Sequence, residues 1–126
     1  MMIKERKTFE FMGLVDVEVQ LRDDAPEGFR EEALGGVYNE PCGEDLKYTV
    51  WFKGLPCGDA LVHESWHLFC TIMAHLDNCE HSWLDLNSEI YAYNFHVLSN
   101  KIIEIVTGMK WYKKLYDERE KEDGGK

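Results

Sequence analysis

The stretch Leu46-Lys47-Tyr48-Thr49-Val50-Trp51-Phe52-Lys53, followed by Gly54-Leu55-Pro56-Cys57-Gly58 and Asp59-Ala60-Leu61-Val62-His63-Glu64-Ser65-Trp66-His67, decides the fold class. Its first part is rich in β-branched and aromatic residues, as a strand requires. Glycine and proline then break the run, and Asp59 is placed to cap a helix that continues to about Leu76. Along that helix Leu61, Val62, Trp66, Leu68, Phe69, Cys70, Ile72, Met73 and Leu76 cover about half the circumference. Ala60, His63, Glu64, His67, Thr71, Ala74 and His75 occupy the rest.

Upstream, Val15, Val17, Val19 and Leu21 alternate with polar neighbours, the period of a half-buried strand. Thr8 to Met12 extends or precedes it across Gly13, where a bend is natural. Residues 22–46 contain Pro26, Gly28, Gly35-Gly36 and Pro41 and read as a long loop with at most a short strand at Val37-Tyr38. Downstream of a loop from Asp77 to about Leu86, Asn87 or Ser88 caps a second helix reaching about Thr107, striped by Tyr91, Phe95, Leu98, Ile102, Ile105 and Val106. A short amphipathic helix over 110–116 and a charged, frayed tail over 117–126 complete one α+β domain, residues 1–126.

Composition narrows the function. The 24 acids against 14 Lys plus Arg give a net charge of −10 with no obvious basic cluster, which disfavours nucleic acid and anionic membrane as partners. The N-terminal charges are followed by Thr8-Phe9-Glu10-Phe11 rather than an apolar run, and no long uncharged apolar stretch exists; a soluble, cytoplasmic protein is expected. Cys42, Cys57, Cys70 and Cys79 form no Cys-x-x-Cys pair and read as ordinary reduced cysteines.

His63-Glu64-Ser65-Trp66-His67 carries the chemistry. Residues four apart on a helix lie one above the other, so both imidazoles reach a single Zn²⁺ while Glu64 projects beside them as a general base. A third protein ligand is needed. His75 lies eight residues past His67, about 12 Å along a continuous helix, too far to share the ion. Position 73 is Met, so the third histidine of a metzincin is absent. Candidates remain in the loop, Asp77, Glu80, His81 and Asp85, and in the second helix, Glu89 and His96. Glu89 clusters with Ala92, Tyr93, His96 and Asn100 opposite the apolar stripe, so it also fits a solvent-facing glutamate of a first helical turn.

The segments Val62-His63-Glu64-Ser65-Trp66-His67 and Ser88-Glu89-Ile90-Tyr91-Ala92-Tyr93 resemble those of small zincin-like metallopeptidase-type proteins encoded by phages and prophages, which pair His-Glu-x-x-His with a Glu-x-x-Ala-Tyr element on the next helix. The resemblance spans roughly residues 46–105. It implies a minimal zincin-like fold in which antiparallel N-terminal strands pack with a metal-binding helix and a second ligand-bearing helix. It further implies His63, His67 and Glu89 as ligands of one Zn²⁺ per chain, Glu64 as general base, and Ala92 as a small residue for close helix approach. The expected function is a zinc-dependent hydrolase, a peptidase using a metal-activated water on a protein or peptide substrate. Tyr91, Tyr93 and His96 are candidate oxyanion or supporting groups. Strand 46–52 is a candidate edge for an extended substrate, with Lys47 and Lys53 flanking it. The alternatives are a non-catalytic zinc-stabilised protein and an acidic interaction or inhibitor module.

Overall fold

The computed structural model describes residues 3–42, 45–78 and 89–124, and the side chains of 3–39, 47–75 and 92–122. Strands β1 (Ile3–Phe11), β2 (Val15–Arg22), β3 (Gly35–Cys42) and β4 (Asp45–Lys53) are followed by helices α1 (Gly58–Asn78), α2 (Glu89–Gly108) and α3 (Lys110–Gly124). The sheet order is β1-β2-β4-β3.

β1 and β2 form an antiparallel hairpin. Met12 and Gly13 both take left-handed φ values, 58° and 66°, and Leu14 N–H donates to the Phe11 carbonyl at 3.1 Å. The chain therefore reverses at Gly13 rather than bending within one strand. β3 and β4 are also antiparallel, but β2 and β4 run parallel, so the sheet is mixed and not the purely antiparallel set expected. This arises because the connection 23–34 and β3 lie between the two central strands in sequence, which brings β4 back beside β2 in the same direction. It also corrects the expectation that β4 is an edge. β4 is central, and the edges are β1 and β3.

One sheet face carries the core. Val15, Val17, Val19 and Leu21 of β2 and Tyr48, Val50 and Phe52 of β4 pack with Leu61, Leu68, Phe69, Ile72 and Met73 of α1 and Leu98, Ile102, Ile105 and Val106 of α2. α1 lies over β3 and β4, α2 over β2, and α3 against β1. Burying each large aliphatic side chain contributes about 1.5–3 kcal/mol, which is why α1 and α2 are specified by their apolar stripes. On the other face, Glu18, Gln20 and Arg22 are buried as well and form a hydrogen-bonded line. Arg22 Nη1 donates to Gln20 Oε1 at 2.9 Å, Gln20 Nε2 to Glu18 Oε2 at 2.5 Å, and Arg22 Nε to the Asp24 carbonyl at 3.1 Å. Lys47 pairs with Glu18 at 3.4 Å.

α1 begins at Gly58, with Leu61 N–H donating to the Cys57 carbonyl, so Asp59 sits in the first turn rather than at the cap. There its charge still favours the helix N-terminus. α3 runs on through Gly124 instead of ending near Tyr116 in a frayed tail. Glu118, Arg119, Glu120, Lys121 and Glu122 are strong helix formers, a preference that reading them only as charges overlooks. No helix among the described residues is long and apolar enough to cross a membrane.

Candidate metal centre

α1 presents His63 and His67 on its solvent side, while Ser65, Leu68 and Ile72 turn inward. Ser65 donates its hydroxyl to the Leu61 carbonyl at 2.7 Å and so is not left unsatisfied in the core. The two imidazoles meet edge to face, with ring centroids 4.6 Å apart at 82°. Their Nε2 atoms are 3.1 Å apart. Two nitrogens held at about 2.0–2.1 Å from one tetrahedral ion lie about 3.3–3.4 Å apart, so the pair already has nearly the bite that zinc requires. The same separation is that of a hydrogen bond from one ring's Nε2–H to the other ring's Nε2, which an ion would replace, and both rings are exposed.

Glu64 is half-buried and turns to the neighbouring flank of α1, under the start of the edge strand β3. A Cβ on Gly35 would lie 3.1 Å from Glu64 Cγ, so the missing side chain is what lets strand and carboxylate approach. Nothing in the local sequence marks Gly35, because Gly35-Gly36 reads as loop; its signal is the adjacency of a strand edge, which only the pairing reveals. On the opposite flank, Trp66 is 44% exposed, stacks on Phe69 and meets Phe95 of α2 edge-on at 5.1 Å. The site is thus bounded by an apolar wall on one side and a strand on the other.

The remaining candidates separate. His75, two turns beyond His67 on α1 and so away from the pair, is hydrogen-bonded through Nδ1 to the Tyr48 hydroxyl. His96 shares a 3.0 Å hydrogen bond with Asn100 Nδ2. With Tyr93, Val97 and Phe9 to Met12 it lines a groove of about 560 Å³ between α2 and the end of β1. His96 and Tyr93 therefore serve a different surface from the histidine pair. Among the described residues, no third His, Cys, Asp or Glu joins His63 and His67. The side chains of Asp77, Glu89 and Tyr91, and residues Glu80, His81, Asp85, Asn87 and Ser88, lie outside those described. Cys57 and Cys70 are free thiols, and burial pushes the Cys70 thiol above its ordinary range. Cys42 and Cys79 lie outside the described side chains.

Comparison with protein-family models, with curated proteins and with solved structures returned no match for this chain.

Proposed function

We propose that this chain is a zinc-dependent hydrolase acting on peptide bonds. The observation that carries the reading is the 3.1 Å convergence of His63 Nε2 and His67 Nε2 on an exposed helix face, with Glu64 one residue away on the adjoining flank. The donor set suits zinc: neutral imidazoles are among its preferred ligands, and two of them at i and i+4 supply half of a tetrahedral shell. His63 and His67 would hold the metal, with Glu89 as the third ligand by resemblance. When bound, zinc acts as a Lewis acid that acidifies water and polarises a carbonyl.

The chain's own residues supply the rest. Glu64 takes the proton from the attacking water and returns it to the leaving amine, a shuttle that its carboxylate performs by alternating between base and acid. β3, an edge strand among the described residues, pairs with no other described strand along its outer side, and an extended peptide can add there as a further strand. Gly35 brings that edge closest to Glu64. Trp66 and Phe95 give the opposite wall an apolar character suited to a large hydrophobic side chain.

Elemental analysis of the untagged protein tests the reading. The parent is expected to hold near one zinc per chain, His63→Ala and His67→Ala to lose it, and Glu64→Gln to retain zinc while losing peptide hydrolysis. A parent that takes up no zinc refutes the metal site. A parent that holds zinc but hydrolyses no peptide refutes the enzyme and leaves a structural metal, and hydrolysis unchanged in Glu64→Gln refutes Glu64 as the general base.

A further inference from the structure

On the sheet face turned away from the helices, the strand register sets side chains in rows. Arg6 of β1 lies opposite Gln20 of β2, Gln20 opposite Trp51 of β4, and Trp51 opposite Gly36 of β3. In the next row Glu18 lies opposite Thr49, and Thr49 opposite Tyr38. Because Gly36 has no side chain, the Phe29 ring descends onto this face: it meets Trp51 edge-on at 5.0 Å and tilts against Tyr38 at 6.2 Å. The connection 23–34 that carries Phe29 is tied down, by the Phe29 N–H to the Pro26 carbonyl at 3.1 Å and by Lys53 Nζ to the Glu31 carbonyl at 2.7 Å. A hollow of about 480 Å³ remains beside it, with Phe29 and Tyr38 towards β3, Arg6 towards β1, and Lys47 where β4 begins.

The floor of this hollow is the line Glu18, Gln20 and Arg22, of which 7%, 3% and 2% is exposed. Apolar packing would cover a sheet at least as stably as buried charge does. Each Glu18 oxygen is engaged, Oε2 by Gln20 and Oε1 by Lys47. The donors are in surplus. Of the five N–H groups of a guanidinium, Arg22 gives one to Gln20 and two to Asp24, and Gln20 gives one of its two to Glu18. Asp24 thus balances Arg22, and Glu18 balances Lys47. Arg6 is exposed and makes no ion pair or hydrogen bond with any described residue. Glu27, the other acid on the lining, is exposed and pairs with no described cation.

We propose that this hollow binds a small aromatic monocarboxylate. The carboxylate accepts from the Arg6 fork and from the N–H groups that Arg22 and Gln20 have in surplus, and the ring packs against Phe29 and Tyr38. One negative charge matches the one lining cation without a described partner, whereas the second charge of a phosphate would meet Glu18 and Glu27. A neutral ring would leave the donors unanswered. The volume is that of a small-molecule site. The hollow and the His63–His67 pair lie on opposite sides of the sheet, so this site is independent of the metal.

The test is an NMR titration of the full chain with benzoate, with benzamide, which has the ring without the charge, and with acetate, which has the charge without the ring. Benzoate is expected to shift the Gln20 side-chain amide, the Tyr38 ring and the Trp51 indole N–H saturably, and to bind about tenfold more tightly than either comparator. Arg6→Gln is expected to weaken benzoate about tenfold. Lys7→Gln removes a neighbouring charge whose side chain faces the other side of β1 and should leave binding unchanged. Benzoate that gives no saturable shift, or binds no more tightly than benzamide or acetate, overturns the proposal. Equal weakening in both variants would report general charge attraction, and shifts confined to His63 and His67 would report a carboxylate on the metal; either also overturns it.

Discussion

Gly35 and Gly36 are neighbours on one strand with opposite neighbourhoods, and adding a methyl group to each separates the proposed site from the fold. At Gly35 a Cβ would sit 3.1 Å from Glu64 Cγ and 3.2 Å from the Trp51 carbonyl oxygen. Carbon atoms prefer about 3.5–4.0 Å, so the Glu64 stem must retreat by a few tenths of an ångström, which a long side chain at a solvent-facing flank can do. The clash is offset in part by the roughly 0.5–1 kcal/mol that alanine gains over glycine within a strand. Gly35→Ala is therefore expected to leave stability within about 1 kcal/mol of the parent. Displacing the proposed general base matters more for turnover: a misplacement of about 1 Å costs up to about a hundredfold, so a few tenths should cost several-fold. At Gly36 the added atom would lie 2.7 Å from a Phe29 ring carbon and 2.8 Å from Trp51 Nε1, a fully buried indole on the other sheet face. Overpacking of that kind costs about 1–3 kcal/mol, a drop in melting temperature of several degrees. Gly36→Ala should thus lower thermal stability while leaving zinc content and turnover per folded molecule unchanged. Thermal unfolding, zinc analysis and peptide hydrolysis on both variants give the answer. Equal turnover in Gly35→Ala and the parent, with Glu64→Gln inactive, would show that β3 does not position Glu64.

Three further outcomes are expected. Removing either imidazole with His63→Ala or His67→Ala should abolish stoichiometric zinc while changing the apo protein's denaturation midpoint little, since both rings are exposed. Arg22→Ala should cost about 2–4 kcal/mol in urea denaturation, because it leaves Gln20 Oε1 and the Asp24 carbonyl without their buried donor; a loss under about 0.5 kcal/mol would mean that water replaces the guanidinium. Cys57 should alkylate faster than Cys70 at neutral pH, since burial raises the Cys70 pKa and lowers its thiolate fraction. With the folded pKa above the unfolded one, the stability contributed by the Cys70 thiol is full below the ordinary value of 9.0 and is lost as pH rises past it. Cys70→Ala should accordingly flatten the alkaline limb of a stability profile.

Elements whose pattern reflects a single buried face were legible before folding. β2 announced itself through Val15, Val17, Val19 and Leu21, and α1 through its wide apolar stripe, because in both the side-chain period alone defines the buried surface. β1 was only partly visible, since Lys4, Glu5, Arg6 and Lys7 are charged as an outer strand tolerates but a core strand does not. β3 was hidden for another reason: Gly35-Gly36 and Pro41 are loop residues by local preference, and the pairing with β4 that overrides them is non-local. The same limit concealed the parallel pairing of β2 with β4, which depends on a crossover rather than on either strand's composition. Within the candidate site, the meeting of His63 and His67 follows from helical spacing and was readable. The separation of His96 and Tyr93 onto the groove beside β1 was not, because it depends on which flank of α2 faces that strand.

The buried polar line across β2 has a consequence for how the chain selects one pairing over its competitors. Sliding β2 by a single residue would exchange its two faces, driving Glu18, Gln20 and Arg22 among the helix side chains and turning the valines towards Lys47 and the 23–34 connection. A sheet with two uniformly greasy faces would tolerate such a slip. Here every one-residue slip carries a stranded guanidinium and a stranded carboxylate, so the aligned state is separated from these rivals by charge as well as by packing.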